Sequence, residues 1–253
     1  MGKAFTYMFN DNKIWLKWLL FAVVMFLSKF FADYASTLLP SCRHCYVNIP
    51  VQYWIYLLIG TLVSFISFGY MYSCIKSHID ADEGFILPNI KLWDNFVRGF
   101  KYSVAFMLLF IPFSVLNGII MQLPRYYGMA GLITAYITIF AIGLVFAYII
   151  IGFSWIFANK PTFLCFYRFK KLFEIISHNA KKYSLSFLVI ALVFMANVLL
   201  ETILGIAIDQ IKLGTIVDLL IKSALVSSAS VYFVFVNCML LAKSADRSLA
   251  GNI

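Results

Sequence analysis

Six long apolar stretches constrain the fold of this chain more than any other feature of its sequence. Hydrophobic residues make up 63% of the 253 residues and charged residues only 12%, whereas a soluble domain has about 45–50% and about 25%. A bilayer core about 30 Å thick requires about 20 apolar residues in each helical span. Six stretches meet that length: 14–35, 51–74, 102–122, 129–157, 184–208 and 215–242. Because a span in lipid must satisfy its own backbone hydrogen bonds, we predict an all-α, polytopic integral membrane protein with one transmembrane domain over residues 1–253.

The lysine and arginine residues outside these stretches fall mainly on one side of the membrane. Fifteen of the 20 lie at the N-terminal end, where Lys17 at the start of the first stretch is included, in the loops 75–101 and 158–183, or in the C-terminal tail. By the positive-inside rule, both termini are predicted to be cytoplasmic, which agrees with an even number of spans. The net charge of +9 then follows from topology and from attraction to anionic lipid, so no nucleic-acid partner is expected.

Amphipathic segments precede the outward-going spans. In 91–101, apolar residues recur at i, i+3, i+4 and i+7 from Trp93, and the same period continues through 169–183 from Phe169. A shorter segment begins at Phe5. Such segments are typical of interfacial helices that lie in the headgroup plane against membrane lipids. The alternative is that they dock an unidentified membrane or cytoplasmic protein partner.

Residues 69–101 carry a pattern that resembles the central signature of a known family. The pattern consists of Gly69, Tyr70, the acidic Asp82 and Glu83, Leu87, Pro88, Trp93, Asp94, Phe96, Gly99 and Lys101. It is similar to a prokaryotic membrane family known as domain of unknown function 4013. The opening from Ala4 to Leu16 is similar as well, so the resemblance extends over roughly the whole chain. It implies a six-helix protein of a prokaryotic cytoplasmic (inner) membrane, and it implies no substrate, reaction or active residue.

The sharpest chemical motif is Cys42-Arg43-His44-Cys45, in the first loop on the predicted outer side. This motif departs from the family pattern. Its spacing and its basic neighbours permit a redox dithiol, because nearby positive charge favours the thiolate. The alternatives are a local disulfide that closes the loop, or two unpaired thiols. A zinc site is not predicted, because a fourth ligand is missing.

Ionisable residues inside the spans form the second candidate site. Lys29 and Asp33 are i, i+4 in the first span, Asp218 and Lys222 are i, i+4 in the sixth, and Glu201 lies one turn from Asn197 in the fifth. At about 1.5 Å per residue, Lys29, Glu201 and Lys222 all lie within roughly 10 Å of the outer surface. The functional interpretation is an outward-open polar pocket for an anionic lipid headgroup, a small solute or protons. The interpretation that the sequence favours is that each pair neutralises itself or that the lysines extend to the interface.

No catalytic cluster is evident from the sequence. The three histidines are far apart at positions 44, 78 and 178, and no phosphate-binding glycine loop or metalloprotease motif is present. We therefore expect no cofactor, and we predict a non-enzymatic membrane scaffold or accessory protein that binds lipid or a partner. A transporter of small solutes or lipid is the first alternative, and an extracytoplasmic thiol-disulfide oxidoreductase is the second.

Overall fold

The computed structural model describes residues 13–39, 49–80, 87–210 and 214–244. These residues form α-helices and one short 3₁₀ helix, and no strand occurs among them. The helices are α1 (Ile14–Thr37), α2 (Val51–Asp80), α3 (Leu92–Ile120), α4 (Leu123–Asn159), α5 (Phe169–His178), α6 (Ala180–Asp209) and α7 (Thr215–Ala242), with the 3₁₀ helix at Phe163–Tyr167.

Six of these helices, all except α5, are long and apolar enough to cross a membrane. The predicted all-α, six-span architecture is therefore confirmed. The predicted bounds of the sixth span coincide with α7, whereas α2 continues beyond the predicted end to Asp80. The helix α3 begins at Leu92, so the amphipathic segment 91–101 is the first part of the third spanning helix and not a separate interfacial helix.

The apolar period of 91–101 includes highly exposed residues of this part of α3. Trp93 is 73% exposed and Phe100 is 43% exposed, whereas Asn95 and Gly99 are buried. In a membrane helix the outward side can be apolar because lipid covers it, while small and polar residues favour close contact between helices. The predicted helix over 91–101 is therefore present, and its exposed apolar residues suit a side that is covered by lipid.

The helix α4 contains a sharp bend at Gly128. This residue has φ 57° and ψ −134°, a backbone conformation that glycine adopts because it lacks a Cβ. The bend separates a short first segment from the long apolar run that follows it. The predicted fourth span, 129–157, begins directly after the bend.

The chain divides into two compact units. Unit 1 contains the described residues of Met1–Phe100 together with Leu188–Lys243. In this unit α1, α2 and α7 pack against one another. The ring of Phe21 lies at its centre, 5.0 Å from the ring of Tyr70 and 5.5 Å from that of Phe235. The description of the chain as one transmembrane domain stays a prediction.

Unit 2 contains Lys101–Phe187 and the described part of Ser244–Ile253. The amphipathic segment predicted at 169–183 is divided at Asn179 into α5 and the start of α6. Leu172 and Ile175 are the buried residues of α5, whereas Phe173 is 67% exposed. One apolar side of α5 therefore packs against the protein, and a second apolar side is exposed. This arrangement is expected of a helix that lies between protein and lipid. The shorter segment predicted from Phe5 lies outside the described residues.

Candidate functional site

A cavity in unit 1 brings together the three charged residues predicted to meet. Lys29 of α1, Glu201 of α6 and Lys222 of α7 line one cavity of about 340 Å³, which we call the charged cavity. Its remaining lining residues are Thr202, Gly205, Ile206 and Val226. The three charged residues come from helices that are far apart in the sequence. They meet because each lies seven or eight residues from one end of its helix, at the end of α1, the end of α6 and the start of α7.

Helix α6 supplies space as well as charge. Gly205 lies one turn after Glu201, and a Cβ built on it would be 3.0 Å from Lys222 Cε and 3.2 Å from Lys222 Nζ. The lysine side chain therefore lies directly against the α6 backbone. A larger residue at position 205 would push the ammonium group out of this position.

The carboxylate of Glu201 is held by two side chains. Its Oε1 atom accepts a hydrogen bond from Asn197 Nδ2 at 2.8 Å and another from Ser230 Oγ at 3.0 Å. Sequence reasoning paired Asn197 with Glu201 but missed Ser230, which belongs to a run of small residues in α7. These two donors stabilise a charge at membrane depth, where an isolated carboxylate would be costly.

The two aspartates of the predicted pocket lie differently. Asp33 Oδ2 is 3.7 Å from Lys29 Nζ, so this i, i+4 pair partly neutralises itself. Asp218 lies in the first turn of α7, where a negative charge is favoured by the helix dipole. Neither aspartate lines the charged cavity. The structure therefore brings together four of the six predicted residues. Lys29, Glu201 and Lys222 line the charged cavity, and Asn197 is hydrogen-bonded to Glu201.

A second cavity of about 410 Å³ adjoins the first, and we call it the deep cavity. Lys29 lines both cavities, and Asn197 lines the deep one. The wall is mostly apolar, yet three buried polar atoms in it have no hydrogen-bond partner in the described part of the chain. These atoms are Ser67 Oγ, Asn197 Oδ1 and Asn237 Oδ1. Asn237 was missed by sequence reasoning, although an amide inside an apolar span is itself a signal of function.

The family-signature residues form a structural cluster at another place in unit 1. Gly69 of α2 and Gly99 of α3 lie where the two helices cross, and a Cβ on either would overlap a backbone carbonyl of the other helix. Beside this crossing, Ser73 Oγ accepts a hydrogen bond from Arg98 Nη1 at 2.8 Å. The Ser73 hydroxyl in turn has Asn95 Oδ1 at 2.9 Å as an acceptor. The signature therefore encodes a close contact between α2 and α3.

Three further signature residues, Tyr70, Leu87 and Pro88, fix the chain just before α3. Tyr70 Oη donates a hydrogen bond to the carbonyl of Pro88 at 3.0 Å, and the buried Lys17 ammonium donates one to the carbonyl of Leu87. Leu87 itself is buried, at 1% exposure. Trp93 and Asp94 are exposed in the first turn of α3. The signature residues that the structure describes thus account for packing, and none of their side chains lines either cavity.

The cysteine motif cannot be placed, because Cys42 and Cys45 lie outside the described residues. Cys74, Cys165 and Cys238 are buried free cysteines. Burial raises the pKa of the Cys165 thiol to about 12, so it stays protonated at neutral pH and is a poor nucleophile. In the ranges that the structure describes, no three metal-ligating side chains of His, Cys, Asp or Glu lie together.

Six apolar helices, with charged side chains gathered in a cavity among three of them, define a multi-pass membrane protein. The chain belongs to the family described as protein of unknown function (DUF4013), whose model matches residues 53–206. The matched range contains the whole 69–101 signature, and it does not include the similar opening at 4–16. No curated protein and no solved structure matches the chain.

Proposed function

We propose that this chain is a non-enzymatic membrane accessory or scaffold protein that binds the charged headgroup of a membrane lipid in the charged cavity. The observation that carries the proposal is the placement of Lys29 and Lys222, from two different helices, beside Glu201 in one cavity of about 340 Å³. That volume falls in the range of about 300–1,000 Å³ that is typical of ligand pockets.

The charges of the cavity suit a phosphate-bearing headgroup. Two ammonium groups offer donors to phosphate oxygens, and hydrogen bonds between charged partners are about twice as strong as neutral ones. The Glu201 carboxylate has one oxygen, Oε1, already engaged by Asn197 and Ser230. Its second oxygen is suited to an amine, so a headgroup with both phosphate and amine matches the cavity best.

The setting that we propose is the cytoplasmic membrane of a prokaryote, with both termini in the cytoplasm. The asymmetric distribution of lysine and arginine supports this orientation. The charged cavity then opens in the outer half of the membrane, where a headgroup can reach it without crossing the bilayer. The exposed side of α5, with Phe173, is available to a protein partner.

Removal of the lysine charges tests the proposal. Protein purified in nanodiscs with native lipid would be compared with the variants Lys29→Gln and Lys222→Gln, by native mass spectrometry of retained phospholipid. We expect each variant to retain less phospholipid, whereas Lys181→Gln, at an exposed position of α6, should retain as much as the parent. Equal retention in all four proteins would disprove headgroup binding in this cavity.

A transporter is the second candidate, and one observation favours it. Lys29 lines both cavities, so polar groups continue from the charged cavity toward Asn237 in the deep one. If a solute passes through the two cavities, liposomes that contain the purified protein should show solute flux across their membrane. Asn237→Leu, which removes a polar group from the deep cavity, should lower that flux. Absence of flux, together with lipid retention that depends on the lysines, would favour the accessory protein.

A further inference from the structure

We infer that unit 2 binds a surface of anionic phospholipid through the 3₁₀ helix and α5, at the side of the membrane where α4 ends and α6 begins. The residues that make this contact are Leu164, Tyr167, Phe169, Lys170 and Phe173, which we call the α5 surface. The inference goes beyond the proposed function, because the α5 surface lies in unit 2 and contains no residue of the charged cavity. Its exposed apolar side chains, its attachment to α4 and its positive charge support it.

The apolar members of the α5 surface are exposed although they lie outside the six spanning helices. Leu164 and Tyr167 are i, i+3, so they share one side of the 3₁₀ helix, and they are 68% and 49% exposed. Phe169 and Phe173 are i, i+4 on one side of α5, and both are exposed. Exposed apolar side chains in such number indicate a surface that contacts a protein or a membrane.

Other side chains of the same segment attach it to α4. Phe166 of the 3₁₀ helix is fully buried, with its ring centre 5.3 Å from that of Phe153. Leu172 of α5 is buried against Gly152, where an added Cβ would overlap its side chain. The helix α4 ends at Asn159, seven residues or about 10 Å after Gly152. The α5 surface is therefore held close to the level at which a spanning helix ends, which is the level of the lipid headgroups.

The sides of α5 show how the helix can lie on lipid. The buried residues Leu172 and Ile175 mark the side that packs against the protein. At about 100° per residue, Phe169 and Phe173 lie on a side turned about 110° from it. Lys170 follows about 60° further around the helix. A lysine at the border of an apolar side can lay its stem along lipid and extend its ammonium group to the phosphates.

The charge of the segment favours anionic lipid as the occupant. Residues 160–174 contain four basic residues and one acidic residue, Glu174. Glu174 forms an ion pair of 3.2 Å with Lys171, so the segment keeps a positive charge beside its apolar side chains. Basic residues near a membrane are attracted to the anionic lipids of the cytoplasmic leaflet, where the proposed orientation places them. Lysine is depleted in protein interfaces, so Lys170 at the border favours lipid over a protein partner.

Fluorescence quenching by spin-labelled lipids tests the inference on the full chain in nanodiscs of phosphatidylcholine and phosphatidylglycerol in equal parts. Cys42 and Cys45 are replaced by serine, the buried cysteines are kept, and a fluorophore is attached to the cysteine of Phe173→Cys. The quencher is either phosphatidylglycerol or phosphatidylcholine with a nitroxide near its headgroup. We expect phosphatidylglycerol to be enriched about fivefold beside the fluorophore, the effect of one lysine near an anionic surface.

Matched variants test the side of the helix and the charge separately. A fluorophore on His178→Cys lies about 160° around α5 from Phe169 and Phe173, so neither lipid should quench it strongly. Lys170→Gln should remove most of the phosphatidylglycerol enrichment at position 173 and leave quenching by phosphatidylcholine unchanged. Lys91→Gln, at an exposed position just before α3, removes the same charge elsewhere and should change neither.

A fluorophore on Leu164→Cys gives a second reading of the same surface, and we expect the same preference for phosphatidylglycerol there. If both lipids quench equally at positions 164 and 173, the preference for anionic lipid is wrong. If neither lipid quenches at these positions, the α5 surface is not covered by lipid, and a protein partner is the better occupant. Both results would leave headgroup binding in the charged cavity standing, because Lys29→Gln and Lys222→Gln test it independently.

Discussion

Gly69 on α2 and Asn95 on α3 are in direct backbone contact, so that a Cβ at position 69 would overlap the Asn95 carbonyl. The relationship is reciprocal, because a Cβ on Gly99 of α3 would overlap the Phe65 carbonyl of α2. Two glycines on facing helices allow the two backbones to approach closely, which is a common way to join helices in a membrane. The Ser73–Asn95 hydrogen bond of 2.9 Å depends on this approach.

Replacement of Gly99 by alanine should therefore destabilise the protein. Overpacking costs about 1–3 kcal/mol, and a backbone carbonyl cannot move aside as a side chain can. Gly118→Ala is the matched control, since it lies on the same helix with nothing within 4 Å of the added Cβ. Thermal unfolding in detergent should show a lower midpoint for Gly99→Ala only. Equal midpoints for the two variants would contradict the close crossing.

Tyr70→Phe should cost stability through the loss of the hydrogen bond from Tyr70 Oη to the Pro88 carbonyl. The variant removes the donor to the Pro88 carbonyl but keeps the ring packed against Phe21. We expect a loss of about 0.5–1.5 kcal/mol, the usual net contribution of such a bond. Tyr136→Phe, on a tyrosine that is 59% exposed, should leave the unfolding midpoint unchanged. A loss of the same size in both variants would show that the hydroxyl bond is not the cause.

The charged cavity predicts coupling between Glu201 and Lys222. Glu201→Ala removes a negative charge from the cavity that Lys222 also lines, so it should lower the thermal midpoint more than the double variant Glu201→Ala, Lys222→Met does. Interacting residues typically differ from additivity by about 0.5–3 kcal/mol. Strictly additive losses in this double-mutant cycle would mean that the two charges do not interact.

The proposed orientation predicts which positions an impermeant thiol reagent reaches in intact cells. In a chain without native cysteines, cysteines at Ser77 and Ser177 should be labelled only after lysis, because both positions belong to the lysine- and arginine-rich side. A cysteine in place of Tyr126, which is 79% exposed between α3 and the bend of α4, should be labelled without lysis. The reverse pattern would invert the topology.

The dithiol motif gives a prediction that separates an inert pair from a catalytic one. A catalytic pair would have a reduction potential well above the approximately −300 mV of inert structural disulfides, and Cys45→Ala would then trap a partner through Cys42. For an accessory protein we expect no trapped partner on non-reducing gels, with Cys42→Ala, Cys45→Ala as the control. A discrete mixed-disulfide complex that depends on Cys42 would instead identify an oxidoreductase.

The sequence by itself determined the spanning helices and the depth of their charges. The bounds of α1 and α7 follow from hydropathy, because lipid requires each span to be helical and long enough to cross the apolar core. The helical rise of about 1.5 Å per residue predicts Lys29, Glu201 and Lys222 at one level of the membrane, and all three line one cavity.

Only the tertiary structure decided which side of each helix faces the protein. In α3 the apolar residues Trp93 and Phe100 are exposed, whereas Asn95 and Gly99 are buried. The reason is physical: in a membrane both the lipid and the protein interior are apolar, so hydropathy does not distinguish the two sides of a span. The hydrogen bond from Ser230 to Glu201 and the position of Lys222 against Gly205 depend on how α6 and α7 are rotated, and that rotation is set by packing between helices.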